Sequence, residues 1–491
     1  MGTFLTLDVG TTAVKAALFD AELNMLGLVI REYSLLTPRQ DEVELPAFVY
    51  WDNIVAGVNE LLKKTNADAK NVLSITCTTQ GETFIPVDKD GNALYNAIVW
   101  LDARAKEETA ILETQYSKEA FYQKTGIPEI SPYCPIAKLM WVKSHLPEVY
   151  AATHKFLLLE DYLIYRLTGS MLTNPALMCT TGYFDINTDE LWHEILEQNG
   201  LDASKIPDVR ACGTSVGPLL ECSAKELGLT ASTIVTTGAM DQVAAAIGAG
   251  NIGPGFITET TGTCLAVGAS TRTPRLESWT PVPVYTHGLP GLYLKIVIMQ
   301  TAGMALKWFR NEFCLDLLNE GGNTYDRMGE LAASVPPLSR GLYLFPHFTG
   351  LYADPDARGV FFGIGLDTGR DCFIRATMES IGYMLRESVE LLGEECVAIH
   401  SSGGGAKSEI WSSIKADICD APVHVMAQEE AALLGAAILG GLATGQFESL
   451  EEGAKHIALG KTFTPGEFAP LYKEGYKKYL RLYEQFAPLF H

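Results

Sequence analysis

Phe4-Leu5-Thr6-Leu7-Asp8-Val9-Gly10-Thr11-Thr12-Ala13-Val14-Lys15-Ala16-Ala17-Leu18 stands near the start of the chain. Apolar residues alternate with others on both sides of Gly10-Thr11-Thr12, which is the pattern of a strand, a tight turn and a second strand. A later segment repeats the scheme. Ile257 and Glu259 lead into Thr261-Gly262-Thr263, and Leu265 and Val267 follow. Two hairpins with Gly and Thr at the turn predict two domains of one architecture. The boundary is expected near Gly250, where Gly248-Ala249-Gly250-Asn251-Ile252-Gly253-Pro254-Gly255 breaks any helix. This divides the chain into residues 1–250 and 251–491.

Working outward, the spacing predicts further strands at Val72 to Thr78 and Thr83 to Val87, the latter closed by Asp88-Lys89-Asp90-Gly91-Asn92, a strong turn signal. Helical stretches run from Lys106 to Gln115 and from Ile136 to Ser144. Strands mixed with helices imply an α/β chain. Ala431 to Ala443 is apolar throughout, too short to span a bilayer and rich in Gly and Ala, so it reads as a tightly packed interior helix.

The composition narrows the function. Of 491 residues, 47% are hydrophobic and 20% charged, ordinary values for a chain that buries a core. A formal charge of −22 repels phosphate backbones and anionic lipid, which argues against nucleic-acid and membrane partners. A nucleotide would then need local donors and a metal ion. The ten cysteines form no Cys-x-x-Cys pair and are read as reduced thiols of a cytoplasmic protein. No basic region leads into an apolar signal core, and the nine histidines show no zinc spacing.

Four segments could carry chemistry. In Asp8-Val9-Gly10-Thr11-Thr12 with Lys15, the glycine lets the backbone approach a ligand, the threonines can donate to phosphate oxygens, Asp8 can hold hydrated magnesium and Lys15 can offset charge. A plain β-turn would use similar residues. In Gly238-Ala239-Met240-Asp241-Gln242, Asp241 precedes the small-residue run Val243-Ala244-Ala245-Ala246-Ile247. Positive helix-end charge would keep it ionised and able to accept a proton, although an N-cap aspartate looks the same locally. Gly403-Gly404-Gly405, between an apolar run and a helix, points to close approach of a flat ligand or phosphate. Trp100-Leu101-Asp102-Ala103-Arg104 offers an aromatic face with a carboxylate and a guanidinium for a sugar, or a structural salt bridge over a core tryptophan. Gly248-x-Gly250-x-x-Gly253 fits a dinucleotide fingerprint by letters only, because it follows a helix and not a strand.

Taken in order, these motifs resemble the FGGY carbohydrate kinases. The resemblance runs from about Phe4 to about Leu442 and includes Asp354-Pro355-Asp356-Ala357-Arg358-Gly359 and Gly403-Gly404-Gly405-Ala406-Lys407-Ser408. It implies two actin-like (ribonuclease H-like) α/β domains with a cleft between them. It also implies ATP as co-substrate with Mg²⁺, the sugar bound by the first domain and adenine by the second. Asp241 matches the family's catalytic base and Asp8 its metal-associated aspartate. Thr11, Thr12, Gly262, Thr263, Gly303, Gly404 and Gly405 match positions around the nucleotide, with Lys15 beside them.

For the acceptor, the second half looks most like xylulose kinases, which usually carry Gln-Met-His-Gly in the sugar site. This chain has Gln80-Gly81-Glu82-Thr83. Glycerol kinases carry Gln-Arg-Glu-Thr there, and Tyr133 and Gln242 are also similar to theirs. Gly81 in place of arginine is expected to enlarge the pocket and remove a charge. The substrate site is therefore assigned to Gly81, Glu82, Trp100, Asp102, Arg104, Tyr133, Asp241 and Gln242. The acceptor is expected to be a pentulose such as xylulose, with glycerol or another polyol as the alternative. A non-catalytic nucleotide-binding sugar sensor is the reading from a different class; a sensor need not keep a base at 241. A homodimer is compatible with all three.

Overall fold

The computed structural model describes residues 2–319, 321–351 and 354–491. The first unit opens with β1 (Thr3–Val9), β2 (Ala13–Asp20) and β3 (Met25–Glu32). Then come α1 (Ala47–Thr65), β4 (Val72–Thr79), α2 (Pro135–His145), α3 (Leu159–Thr168), β5 (Ser215–Pro218), β6 (Ile234–Met240) and α4 (Asp241–Gly248). The second unit begins with β7 (Gly255–Thr261), β8 (Leu265–Thr271) and β9 (Tyr293–Met299). It continues with α5 (Gly303–Phe313), α6 (Arg370–Leu392), β10 (Cys396–Ser402), α7 (Glu409–Cys419) and β11 (Val423–Met426). The chain then supplies α8 (Ala431–Ala443) to the first unit and β12 (Leu459–Phe463) to the second.

Both predicted hairpins form. Gly10 N–H closes the first turn on Ala13 O at 3.0 Å, and Gly262 N–H closes the second on Cys264 O at 3.0 Å. The sheet of the first unit runs β5-β6-β4-β1-β2-β3, and that of the second contains the run β12-β11-β10-β7-β8-β9. The pairings correspond. β1 is antiparallel to β2 and parallel to β4, as β7 is antiparallel to β8 and parallel to β10. β4–β6 and β10–β11 are parallel, and each sheet ends on an antiparallel outer strand.

The strand β1 lies at the centre, with Phe4, Leu5, Leu7 and Val9 all fully buried. Strands covered on both faces read as near-continuous apolar runs for this reason. The helix α1 packs on β2 and β3, and α8 packs on β1 and β4. The apolar α8 is thus an interior helix, as its composition predicts. It crosses α4 at backbone distance: a Cβ at Gly248 would stand 1.9 Å from Ala431 O, and one at Gly435 would stand 1.9 Å from Ala244 O. The small residues behind Asp241 are there to admit this crossing, which also accounts for Gly248.

The compact units are Met1–Ile252, Thr271–Leu294 and Glu430–Ile457 for the first, and Gly253–Ser270, Lys295–Glu429 and Ala458–His491 for the second. The chain passes from the first unit to the second between Ile252 and Gly253 and changes unit four more times after that. None of the described helices is long and apolar enough to cross a membrane.

Candidate active site

Asp8 is the penultimate residue of β1, two positions before Gly10 of the turn. Burial raises its carboxyl to about 6, against the pull of Lys15, and Glu430 raises it further. Lys15 Nζ lies 4.0 Å from Asp8 Oδ2 but 2.5 Å from Glu430 Oε2. The lysine expected to offset ligand charge is therefore held by a carboxylate at the start of α8. Thr11 Oγ1 accepts from Trp100 Nε1 at 2.9 Å, while Thr12 is exposed.

The first residue of α4 is Asp241, half-buried; Met240 is the N-cap, without a capping side chain. Asp241 is therefore no N-cap. Its Oδ1 accepts the N–H of Gln242 at 2.7 Å. Burial raises its carboxyl to about 7, and the charges of Asp8 and Glu82 add to that rise. Asp8 and Glu82, far from Asp241 in sequence, are thus both brought within its electrostatic reach. The strand behind Asp241 is held by Glu160 of α3, fully buried, whose Oε1 accepts from Gly238 N at 2.7 Å and whose two oxygens receive Asn174 Nδ2 at 3.2 Å. Burial raises Glu160 to about 8.

Glu82 occupies the left-handed region at φ 56°, a conformation that costs a non-glycine residue and is found where function fixes it. The loop around it is tied on three sides. Gln80 N donates to Val9 O at 3.2 Å, Leu159 N to Thr83 O at 3.0 Å, and Trp100 N to Thr83 Oγ1 at 3.0 Å. Burial pushes the Glu82 carboxyl up, and the ammonium of Lys138 on α2 opposes that shift. Burial pushes fully buried Lys138 down, offset by Asp102 and Glu82. Its Nζ donates to Val99 O at 3.0 Å and Trp100 O at 3.1 Å. Tyr285 also faces this cluster, its phenol pushed up by burial and then by Glu82.

Sequence reasoning missed Lys138, Tyr285 and Glu160. A lysine inside the apolar run of α2 was the available signal for the first.

Gly81 does not open space beside its own backbone. A Cβ there would meet Met240 Sδ and Thr180 Oγ1, each at 3.2 Å. The expected enlargement is corrected to this extent: the arginine charge is gone, but Met240 and Thr180 fill the place where its stem would start.

Asp102 and Arg104 form a buried ionic knot. Arg104 Nη2 lies 2.7 Å from both Asp102 Oδ2 and Glu44 Oε1, and Asp102 Oδ2 also accepts from Val43 N at 2.6 Å. This is the salt-bridge arrangement that the sequence left open, with the guanidinium 4.7 Å from the Trp141 ring. Tyr133 and Gln242 are exposed.

In the second unit, a cavity of about 430 Å³ is lined by Thr261, Gly262, Thr263, Gly303, Gly404 and Gly405, among others. All five residues assigned to the nucleotide in this half meet there. The glycines divide into two kinds. At Gly262 and Gly404 an added Cβ would enter open space. At Gly303 it would stand 2.4 Å from Gly262 O, and at Gly405 2.7 Å from Thr261 Cβ. The first kind leaves room for a ligand and the second lets backbone segments touch. Trp411, expected as core, is buried and donates to Met378 O at 3.0 Å, yet both residues line the cavity.

Two sheets built on one plan, each with a Gly/Thr hairpin turn at its functional end, define a two-domain α/β phosphotransferase of the actin-like kind. Residues 3–248 match the N-terminal domain of the FGGY family of carbohydrate kinases, and residues 258–444 match its C-terminal domain. The chain belongs to this family and is an ATP-dependent kinase of a sugar or polyol. It is 28% identical over 457 residues to the xylulose kinase of Bacillus subtilis, covering 92% of this chain and 90% of that one. It is 31% identical over 475 residues to the glycerol kinase of Thermococcus gammatolerans, covering 94% and 93%. The xylulose kinase from Rhodospirillum rubrum matches in structure with a TM-score of 0.89 at 26% identity, over 100% of both chains.

Proposed function

We propose that the chain phosphorylates a hydroxyl of a pentulose such as xylulose in the cytoplasm, with Asp241 as the general base. The observation that carries this reading is the Asp241 carboxyl, raised to about 7 by burial and by the charges of Asp8 and Glu82. A base works best with a pKa near the working pH. The acceptor proton passes to Asp241 as the hydroxyl oxygen forms its bond to the γ-phosphorus. The bond from phosphorus to the bridging oxygen of ATP breaks, and ADP leaves.

Asp8 fits a magnesium ion carried by ATP. It is a carboxylate whose charge is crowded by Glu430 and faces Asp241, so a cation there would be welcome. Bound there, the ion would neutralise phosphate charge. In this reading the first unit takes the acceptor, through Glu82, Trp100, Tyr133 and Gln242, and Asp102 and Arg104 shape its wall. The second takes the nucleotide, with Gly262 and Gly404 admitting it.

The polyol reading is favoured by Gln80-Gly81-Glu82-Thr83, which keeps the glutamate and threonine of the glycerol-kinase pattern. ADP release with Mg-ATP across D-xylulose, L-xylulose, D-ribulose, glycerol and erythritol separates the two. A strong response to a pentulose alone supports the proposal. A response to glycerol or erythritol alone replaces it with the polyol kinase.

A further inference from the structure

Along β7 the inward-facing residues are Ile257, Glu259 and Thr261, all buried to within 1%. A carboxylate in such a place needs a partner, and α7 provides it. Lys415, also with no exposure, brings Nζ to 2.8 Å from Glu259 Oε1 and donates to Thr261 Oγ1 at 2.9 Å. The Thr261 hydroxyl donates to Glu259 Oε1, and Ser401 of β10 donates to Glu259 Oε2. One closed network thus joins β7, β10, α7 and the residue at which the Thr261-Gly262-Thr263 turn begins.

We infer that the Glu259–Lys415 pair is a positioning device for nucleotide binding, acting through Thr261 without touching the nucleotide. This rests on the reading that ATP occupies the glycine-lined cavity. Thr261 lines that cavity, whereas neither charged residue does. The other walls take their positions from the same point. A Cβ at Gly405 would stand 2.7 Å from Thr261 Cβ and one at Gly403 2.9 Å from Thr261 O, while Gly303 N donates to Gly262 O at 2.9 Å. The glycine loop and the start of α5 are thus both set against this turn. A buried ion pair is a poor source of stability compared with packed apolar residues. Here it fixes where one hydroxyl, and with it a loop, must stand.

The test measures ADP affinity by calorimetry and thermal melting, with the acceptor KM alongside. Lys415→Met should lower the melting temperature and weaken ADP binding roughly tenfold. The double variant Glu259→Gln/Lys415→Met should recover most of the melting temperature, because no charge is left unpaired. It should still bind ADP about tenfold more weakly, with the acceptor KM unchanged. Wild-type ADP affinity in the double variant would overturn the inference and leave the pair a structural element. Should neither charge variant fold, Thr261→Val carries the test with the ion pair intact: weakened ADP binding supports the inference, and unchanged binding overturns it. Gly404→Val separates the two levels. If it leaves ADP affinity unchanged, the nucleotide sits elsewhere and the reading beneath the inference fails. If it weakens ADP while the double variant does not, only the inference fails.

Discussion

Glu160 in the first unit and Glu259 in the second are both completely buried, yet their surroundings differ in kind. Glu259 has Lys415, Thr261 and Ser401 on its oxygens. Glu379 in the same unit has Arg375 at 2.9 Å, Tyr472 at 2.7 Å and Ser339 at 2.7 Å. Glu160 has an amide N–H and an asparagine but no cation, and burial holds its carboxyl near 8. Asp241 and Asp8 follow Glu160, at about 7 and about 6. The second unit uses buried carboxylates as fixed ionic struts. The first unit pairs Asp102 and Glu44 with Arg104 in the same way but, among the described residues, leaves Glu160 and Asp241 without a cation, so that these two exchange protons near neutral pH. The base proposed at Asp241 needs the cation-poor arrangement, and the pair proposed to position the nucleotide loop is served by the paired one.

The largest test of that contrast is Asp241→Asn. Turnover should fall by roughly 10²–10⁴, with melting temperature and ADP affinity little changed, as read by steady-state kinetics and calorimetry. Retained turnover would remove Asp241 as the base and with it the functional meaning of the contrast.

Next comes Glu259→Gln, which leaves Lys415 buried with an uncompensated charge. Unfolding free energy should drop by about 3–5 kcal/mol, measured by denaturant melting. A loss below about 1 kcal/mol would mean that water reaches the pair.

The pH dependence is the third. Folded carboxyls raised to about 6 for Asp8, about 7 for Asp161 and Asp241 and about 8 for Glu160 hold protons that the unfolded chain releases near 4. The folded state therefore binds more protons between those limits, and stability should fall as pH rises from about 4 to about 8. With Asp241 as the proposed base, catalysis has the opposite sign, because that base acts ionised: kcat/KM should rise with pH to a limb near 7. A flat profile from pH 5 to 8 would contradict both statements.

Much of this was legible before any coordinates. Strand, Gly/Thr turn and strand can be read locally, so both hairpins were predicted, and the apolar run at 431–443 could only be interior. Asp102 and Arg104 could not be resolved, because their spacing suits a ligand or an ion pair equally, and Glu44, which decides it, lies 60 residues away from Arg104. The division of the glycines was equally hidden. Gly404 and Gly405 are neighbours in sequence, but one faces open space and the other Thr261, a distinction only tertiary packing creates. Lys138 and Glu160 escaped because each lies in a helix whose apolar periodicity hides a charged residue facing inward.

The smallest expected loss belongs to Glu160→Gln, and it is the most discriminating partner to Glu259→Gln. With its carboxyl held near 8, Glu160 is protonated at neutral pH, so an amide of the same shape replaces a group that carried no charge. Its carbonyl oxygen can still accept from Gly238 N, the bond that holds the strand behind Asp241. Unfolding free energy near pH 4 should change by less than about 1 kcal/mol, and the variant should gain stability over the wild type as pH rises from about 4 to about 8, where only the unfolded wild-type chain ionises Glu160, the gain levelling off above 8. The same glutamate-to-glutamine exchange in two fully buried places should therefore differ by several kcal/mol. Equal losses at both sites would show that Glu160 is ionised in the folded protein and held as Glu259 is.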